Sequence, residues 1–208
     1  TDGQNEISEA LEIKYISKNG INVQKIIVGK YVECSALITL ENKLYTWGRG
    51  DFGQLGFGDC ISLDTPNYVR HLSSQVRDIA FSSTSTVAIL TSGQLITWGV
   101  GNFGELGHGP KIRVYGYPKI VNLLSRTQFC KVACGMHHIM CLSERGEVFG
   151  FGNSEYGQIG NGSQDKINGI PARALIRDPC YDIVCGENHC IAITQSSDVY
   201  AWGCNESG

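Results

Sequence analysis

The chain has 208 residues, with 17 Lys and Arg against 20 Asp and Glu, a net charge of −3 and a sequence pI near 5.9, so its overall charge does not point to phosphate-backbone binding. No apolar run reaches the roughly 18 residues a membrane helix needs, and the opening Thr1-Asp2-Gly3-Gln4 is no secretory signal but reads as the start of a partial segment. Nine cysteines, an odd count without paired framework spacing, predict reduced thiols in cytoplasm or nucleus, while 26 glycines, well above the usual 7 % or so, predict many turns with positive φ.

In chain order, residues 9–29, from Ala10 and Leu11 to Ile26-Ile27-Val28-Gly29, read as the tail of a repeating unit whose hairpin is absent. A phrase then begins at Leu44-Tyr-Thr-Trp47-Gly48 and runs through Gly53-Gln-Leu-Gly56. It returns as Leu95-Ile-Thr-Trp98-Gly99 through Gly107, as Val148-Phe-Gly-Phe151-Gly152 through Gly160, and as Val199-Tyr-Ala-Trp202-Gly203. The anchors Trp47, Trp98, Phe151 and Trp202 are 51, 53 and 51 residues apart. Short apolar runs precede the later three copies: Thr86–Leu90, Ile139–Leu142 and Ile191–Thr194. Each is joined to its copy by a tight turn, which predicts β-hairpins.

After each hairpin the chain is too glycine-rich for a helix interior. A variable polar loop follows, carrying Pro66, Pro118 or Pro171, and then another apolar stretch such as Val76–Phe81. Each unit thus supplies about four short strands. A sheet apolar on both faces must be covered by its neighbours, so the expectation is an all-β propeller with residues 1–208 as one array. Gly208 stands where the next Gln-Leu-Gly would begin, and the outer faces of such a four-unit arc are expected to be apolar and self-associating.

The pattern Cys134-Gly135-x-x-His138, followed by the hairpin, Phe151-Gly152 and Gly157-Gln-Ile-Gly160, resembles the repeat of the regulator of chromosome condensation family. The resemblance covers the chain from about residue 9. It implies a seven-bladed propeller, of which about four blades lie here and roughly three outside. Gly186 and His189 keep the pattern; Ser82 and Ser85 replace it in the second copy, and Cys34 stands at the histidine position in the first, with consequences for local turns. The resemblance also implies several roles: guanine-nucleotide exchange on a small Ran-like GTPase, docking on chromatin, scaffolding of ubiquitin ligases or cilia, light reception, and inhibition of a bacterial enzyme.

Several local patterns invite chemistry. Gly48-x-Gly50-x-x-Gly53 and Gly99-x-Gly101-x-x-Gly104 fit a dinucleotide fingerprint, but the glycine-rich residues after them cannot begin the helix that holds a pyrophosphate. Cys134, His137, His138 and Cys141, and again Cys180, Cys185, His189 and Cys190, lack the second matched pair of a zinc finger. They read instead as equivalent slots of adjacent units, each histidine orienting its ring against a backbone group. No nucleophile–base arrangement lies outside the repeat, so no catalytic residue, metal or cofactor is assigned. All three tryptophans serve the repeat, which counts against a light receptor.

What varies between units is more informative. Between Glu105 and Glu144 stand five cations (Lys111, Arg113, Lys119, Arg126 and Lys131) and no acid. The loop Pro110–Tyr117 interleaves Lys111 and Arg113 with Tyr115 and Tyr117, whereas its counterpart Asp59–Asp64 is acidic. Arg49, Asp51, Asn102, Glu105 and Glu155 vary within the glycine loops. The predicted function is a protein-interaction scaffold, with Lys111, Arg113, Tyr115, Tyr117, Arg49, Asp51 and Glu105 as partner-binding residues on face loops. The alternative is nucleotide exchange on a small GTPase, which works by tighter binding of the nucleotide-free form. Periods of 51, 53 and 51 leave no room for the inserted wedge that the family's founding member uses. Nucleic-acid or chromatin binding is disfavoured by the acidic pI, and no membrane association is expected.

Overall fold

The structure, a computed structural model, describes residues 12–72 and 75–206; Ala10, Leu11, Ser207 and Gly208 lie outside them. Four antiparallel sheets succeed one another, each paired in chain order. The first contains β1 (Val23–Val28), β2 (Cys34–Thr39), β3 (Leu44–Gly48) and β4 (Leu63–Tyr68). The second contains β5 (Val76–Phe81), β6 (Ser85–Leu90), β7 (Leu95–Val100) and β8 (Val114–Ile120). The third is β9 (Phe129–Cys134), β10 (His138–Ser143), β11 (Val148–Gly152) and β12 (Asn168–Arg173). The fourth is β13 (Cys180–Cys185), β14 (His189–Thr194) and β15 (Val199–Gly203). A five-residue helix, α1 (Lys14–Lys18), precedes them. Among the described residues no helix is long and apolar enough to cross a membrane.

The sheets stack as blades of a β-propeller, and the apolar cores lie between blades. Leu44 and Leu55 of the first pack with Phe81, Ile96 and Trp98 of the second. Val87, Ile89 and Leu95 pack with Phe129, Ile139 and Phe151 of the third. Met140, Leu142 and Val148 pack with Ile183, Cys190 and Ala192 of the fourth. This is why β6 and β10 are buried along their whole length: a strand covered by a blade on each side needs no polar face. Trp98 and Phe151 are fully buried. Trp47 and Trp202 are half-buried, Trp202 packing against the core between the third and fourth blades.

One reading gains a place in the fold and another is corrected. Val23–Val28, the tail of a repeating unit in the sequence, pairs with β2, Ile26 opposite Leu37, as the innermost strand of the first blade. The proline-bearing segments are not loops. Pro66, Pro118 and Pro171 lie within β4, β8 and β12, the outermost strand of each blade. Proline cannot donate to a ladder, so an edge strand is the place in a sheet that accepts it, and it also blunts that edge against further pairing. Tyr115 and Tyr117 are therefore strand residues of β8.

Candidate functional site

Backbone hydrogen bonds gather the variable segments at one end of the blades. The turn joining the first two strands of each blade accepts from the residue that ends the third strand or directly follows it. The bonds are Arg49 N to Glu33 O at 2.7 Å, Val100 N to Thr84 O at 2.9 Å, Asn153 N to His137 O at 2.7 Å and Cys204 N to Asn188 O at 2.8 Å. The glycine loops then reach onto the next blade's outer strand: Gly58 N donates to Gly116 O at 3.1 Å, and Gly109 N to Gly169 O at 2.8 Å. A rim results in which each glycine loop lies beside the β-edge of its neighbour. Gly58 leaves the room for this, since a Cβ there would stand 2.0 Å from Tyr117 Cζ.

On this rim Lys111 and Arg113 are exposed, with Arg113 Nη1 3.4 Å from Asn102 O. Tyr115 is half-buried; Lys119 Nζ lies 4.2 Å from its ring centroid and donates to its hydroxyl at 2.8 Å. His108 meets the same ring edge-on at 4.8 Å, and burial, then the charge of Lys119, hold its pKa down at about 4. Tyr117 is half-exposed and set edge-on to His71 at 4.8 Å. Arg49 pairs with Asp51 at 2.7 Å at the start of the loop that ends against Tyr117. The structure thus brings Arg49, Asp51, Lys111, Arg113, Tyr115 and Tyr117 to one rim.

Glu105 does not belong with them, a correction to the expected set. Its side chain is fully buried and folds back into its own loop, Oε2 accepting from Phe103 N at 2.8 Å. Gln54 and Gln158 do the same for Phe52 N and Tyr156 N, each at 2.8 Å. The remaining oxygen of Glu105 lies 3.4 Å from His137 Nδ1. Ser83 Oγ, which donates to Met136 O, is 3.1 Å from that same nitrogen. Serine and carboxylate therefore compete for one ring atom, whereas a relay needs both nitrogens. The cluster is not a catalytic triad.

Sequence reading missed the apolar part of the rim. Ile61, Val114 and Ile167 are 60 %, 61 % and 40 % exposed at the entries to β4, β8 and β12. They stand 53 residues apart, and the last two directly follow Arg113 and Lys166. The signal was present as an apolar residue at or shortly before the start of each outer strand, but a lone β-branched residue in a polar loop does not announce its exposure.

The predicted cysteine–histidine slots also rearrange. His138 does not turn to a backbone group; its Nε2 is 3.1 Å from Cys190 Sγ of the next blade, which lies 3.6 Å from Cys185 Sγ. The bond from Cys190, aided by His138 and opposed by burial, draws the Cys185 thiol down to about 6, while burial pushes Cys190 up. His189, the equivalent of His138, is exposed.

The profile described as the Regulator of chromosome condensation (RCC1) repeat matches residues 41–89, 92–142 and 145–193, and a second profile of that repeat matches 129–158 and 181–208. The chain is 33 % identical over 181 residues to the E3 ubiquitin-protein ligase HERC2 of Homo sapiens, covering 83 % of this chain and 4 % of the ligase. It is 29 % identical over 191 residues to the ultraviolet-B receptor UVR8 of Arabidopsis thaliana, covering 91 % and 43 %. Prp20p of Saccharomyces cerevisiae, whose binding properties toward Gsp1p and histones have been studied, superposes with a TM-score of 0.74 at 21 % identity, over 88 % of this chain and 45 % of that one. At that identity the likeness is one of fold, and the chain spans less than half the length of each of the three.

Proposed function

This chain belongs to the regulator of chromosome condensation repeat family, and on that premise we propose that residues 1–208 act as one rigid array, a platform that holds a protein partner at its rim. The observation that carries the reading is the exposed row Ile61, Val114 and Ile167, bordered by Lys111, Arg113 and Lys166. Apolar side chains kept in water at the entry to the outer strand of successive blades, beside arginine and a half-exposed tyrosine, supply what protein interfaces use as anchors. The cations select a partner with an acidic surface, and backbone bonds between loops and neighbouring strands make the rim a preformed surface. That HERC2 is a ubiquitin ligase and that Prp20p has been studied with Gsp1p and histones supports protein partners as a class. Fold likeness alone chooses none of them.

The test is affinity capture from extract by the wild-type chain and by Lys111→Glu/Arg113→Glu, each with and without EDTA. Partners retained by the wild type, reduced about tenfold in the variant (roughly 1.4 kcal/mol) and indifferent to EDTA are the expected result. Retention unchanged by the substitutions would move the interface away from this rim. A small GTPase held only in EDTA, which strips its magnesium and nucleotide, would replace the scaffold reading with nucleotide exchange.

A further inference from the structure

The third and fourth blades meet at side chains that partner binding does not use. His138 opens β10, Cys185 closes β13, and Cys190 lies in β14 directly opposite Cys185. The two sulfurs are 3.6 Å apart and His138 Nε2 is 3.1 Å from Cys190 Sγ. All three donor atoms lie within 4.8 Å of one another, and all three residues are buried. A tetrahedral zinc ion, with Zn–S about 2.3 Å and Zn–N about 2.0–2.1 Å, holds its ligand atoms about 3.5–3.8 Å apart. Small rotations of these side chains reach that arrangement.

Comparison of the three blade junctions separates this cluster from a packing requirement. At the first junction the corresponding residues are Cys34, Phe81 and Thr86; at the second they are Ser85, Cys134 and Ile139. The fold therefore closes the same contact with an aromatic ring, a hydroxyl or an aliphatic chain. Only the third junction supplies one nitrogen and two sulfurs, and among the described residues no other group of three metal-type ligands forms. Gly135 makes room for the imidazole, since a Cβ there would stand 2.0 Å from His138 Cε1. The ring is placed by this cradle, because its Nδ1 has no hydrogen-bond partner.

We propose that His138, Cys185 and Cys190 bind a zinc ion that joins the third blade to the fourth. Thiolate and neutral imidazole are the ligands that select zinc over the hard divalent cations. As the two Zn–S bonds form, each thiol gives its proton to solvent, and His138 binds through Nε2 with its own proton on Nδ1. Two thiolates and Zn²⁺ sum to zero charge, which a buried junction tolerates far better than a bare ion or a lone thiolate. The carbonyl of Gln158, 3.5 Å from Cys190 Sγ, stands beside the group, leaving the fourth position to that oxygen or to a water.

The full chain, purified under a phosphine reductant, is titrated with Zn²⁺ and with Co²⁺. The expected result is one ion per chain, an intense tetrahedral cobalt spectrum with a sulfur-to-cobalt charge-transfer band, and a zinc-dependent rise in melting temperature. Cys190→Thr and His138→Ser import the residues that the second blade carries at these positions, Thr86 and Ser85, so they preserve a junction the fold already uses. Each is expected to lower affinity at least tenfold and to lose the melting-temperature rise. Cys60→Ser, which removes an exposed thiol, should bind as the wild type does. Folded wild-type protein without the cobalt band would overturn the site, as would undiminished binding by Cys190→Thr. So would a Cys185–Cys190 disulfide that survives the reductant. Should a variant fail to fold, the wild-type cobalt spectrum decides alone.

Discussion

His108 shows how a single side chain on the rim is tied to the interior. Thr97 Oγ1 donates to Leu106 O at 2.7 Å, so at its 3.1 Å contact with His108 Nε2 it accepts the ring proton. The imidazole is thus held neutral between a buried hydroxyl and the edge of Tyr115, with Lys119 repelling any added charge. Its pKa falls from 6.5 to about 4. Below about pH 6.5 the unfolded chain takes up a proton that the folded one refuses, so stability is lost as pH falls from 6.5 toward 4. His108→Gln keeps a donor for Thr97 and removes the titration. The difference in melting temperature between wild type and variant, measured from pH 7 to pH 4.5, should shift steadily in the variant's favour; a constant difference would refute the linkage. Such detail was partly legible beforehand. Lys111, Arg113 and Tyr117 are visible in the sequence because charge and aromatic type stand out in a polar stretch. Glu105 misled, since its place directly after the Gly-x-x-x-x-Gly phrase is filled by Gln54 and Gln158 in the neighbouring copies, and the shared role of the three, bonding a loop N–H from within, shows only in three dimensions.

At the scale of the blade, the hairpins were legible because apolar runs and glycine turns carry a period, while the fourth strand was not. Its prolines and polar residues give an edge strand the composition of a loop. The glycines divide by what surrounds them, which composition cannot report. Gly152 ends β11 with φ 112°, and a Cβ there would lie 2.5 Å from His137 O, the carbonyl that binds Asn153 N. Gly109 has φ 102° with nothing within 4 Å of such a Cβ. Alanine at Gly109 meets only the left-handed penalty, about 1–2 kcal/mol. Alanine at Gly152 meets that penalty and must also push aside the turn it is bonded to, for a total of about 3–5 kcal/mol with backbone strain included. Denaturant midpoints should rank wild type above Gly109→Ala and Gly109→Ala well above Gly152→Ala. Equal losses would mean that backbone conformation alone makes these positions glycine.

Across the whole molecule, the sequence repeat and the blade are out of phase. The first family repeat, residues 41–89, begins before β3 and ends within β6, so it supplies the outer half of one blade and the inner half of the next. Every repeat is thereby a covalent tie across an interblade core. A second tie runs along the innermost strands, where Lys25, Asp78, Lys131 and Asp182 occupy corresponding positions with charges that alternate from blade to blade. Lys25 bonds Asp78 at 2.5 Å, and Lys131 pairs with Asp182. The second junction lacks such a pair; there Asp78 Oδ2 accepts from Val132 N at 3.4 Å. The alternation was hidden in the sequence because the four charges lie about fifty residues apart in short strands, with Arg77 beside Asp78 masking the sign in the second blade. If it sets blade order, reversing one charge should cost more than losing a surface pair, since Lys131→Asp sets a new carboxylate between those of Asp182 and Asp78. Asp182→Lys on that background restores an opposite pair with reversed sense. In a double-mutant cycle the expected coupling is about 0.5–1 kcal/mol, the range for half-exposed pairs, and it should shrink in high salt. The double variant should nevertheless stay below wild type, because the carboxylate introduced by Lys131→Asp would still oppose Asp78. Full restoration would show that each junction acts alone and that the alternation around the axis carries no stability of its own.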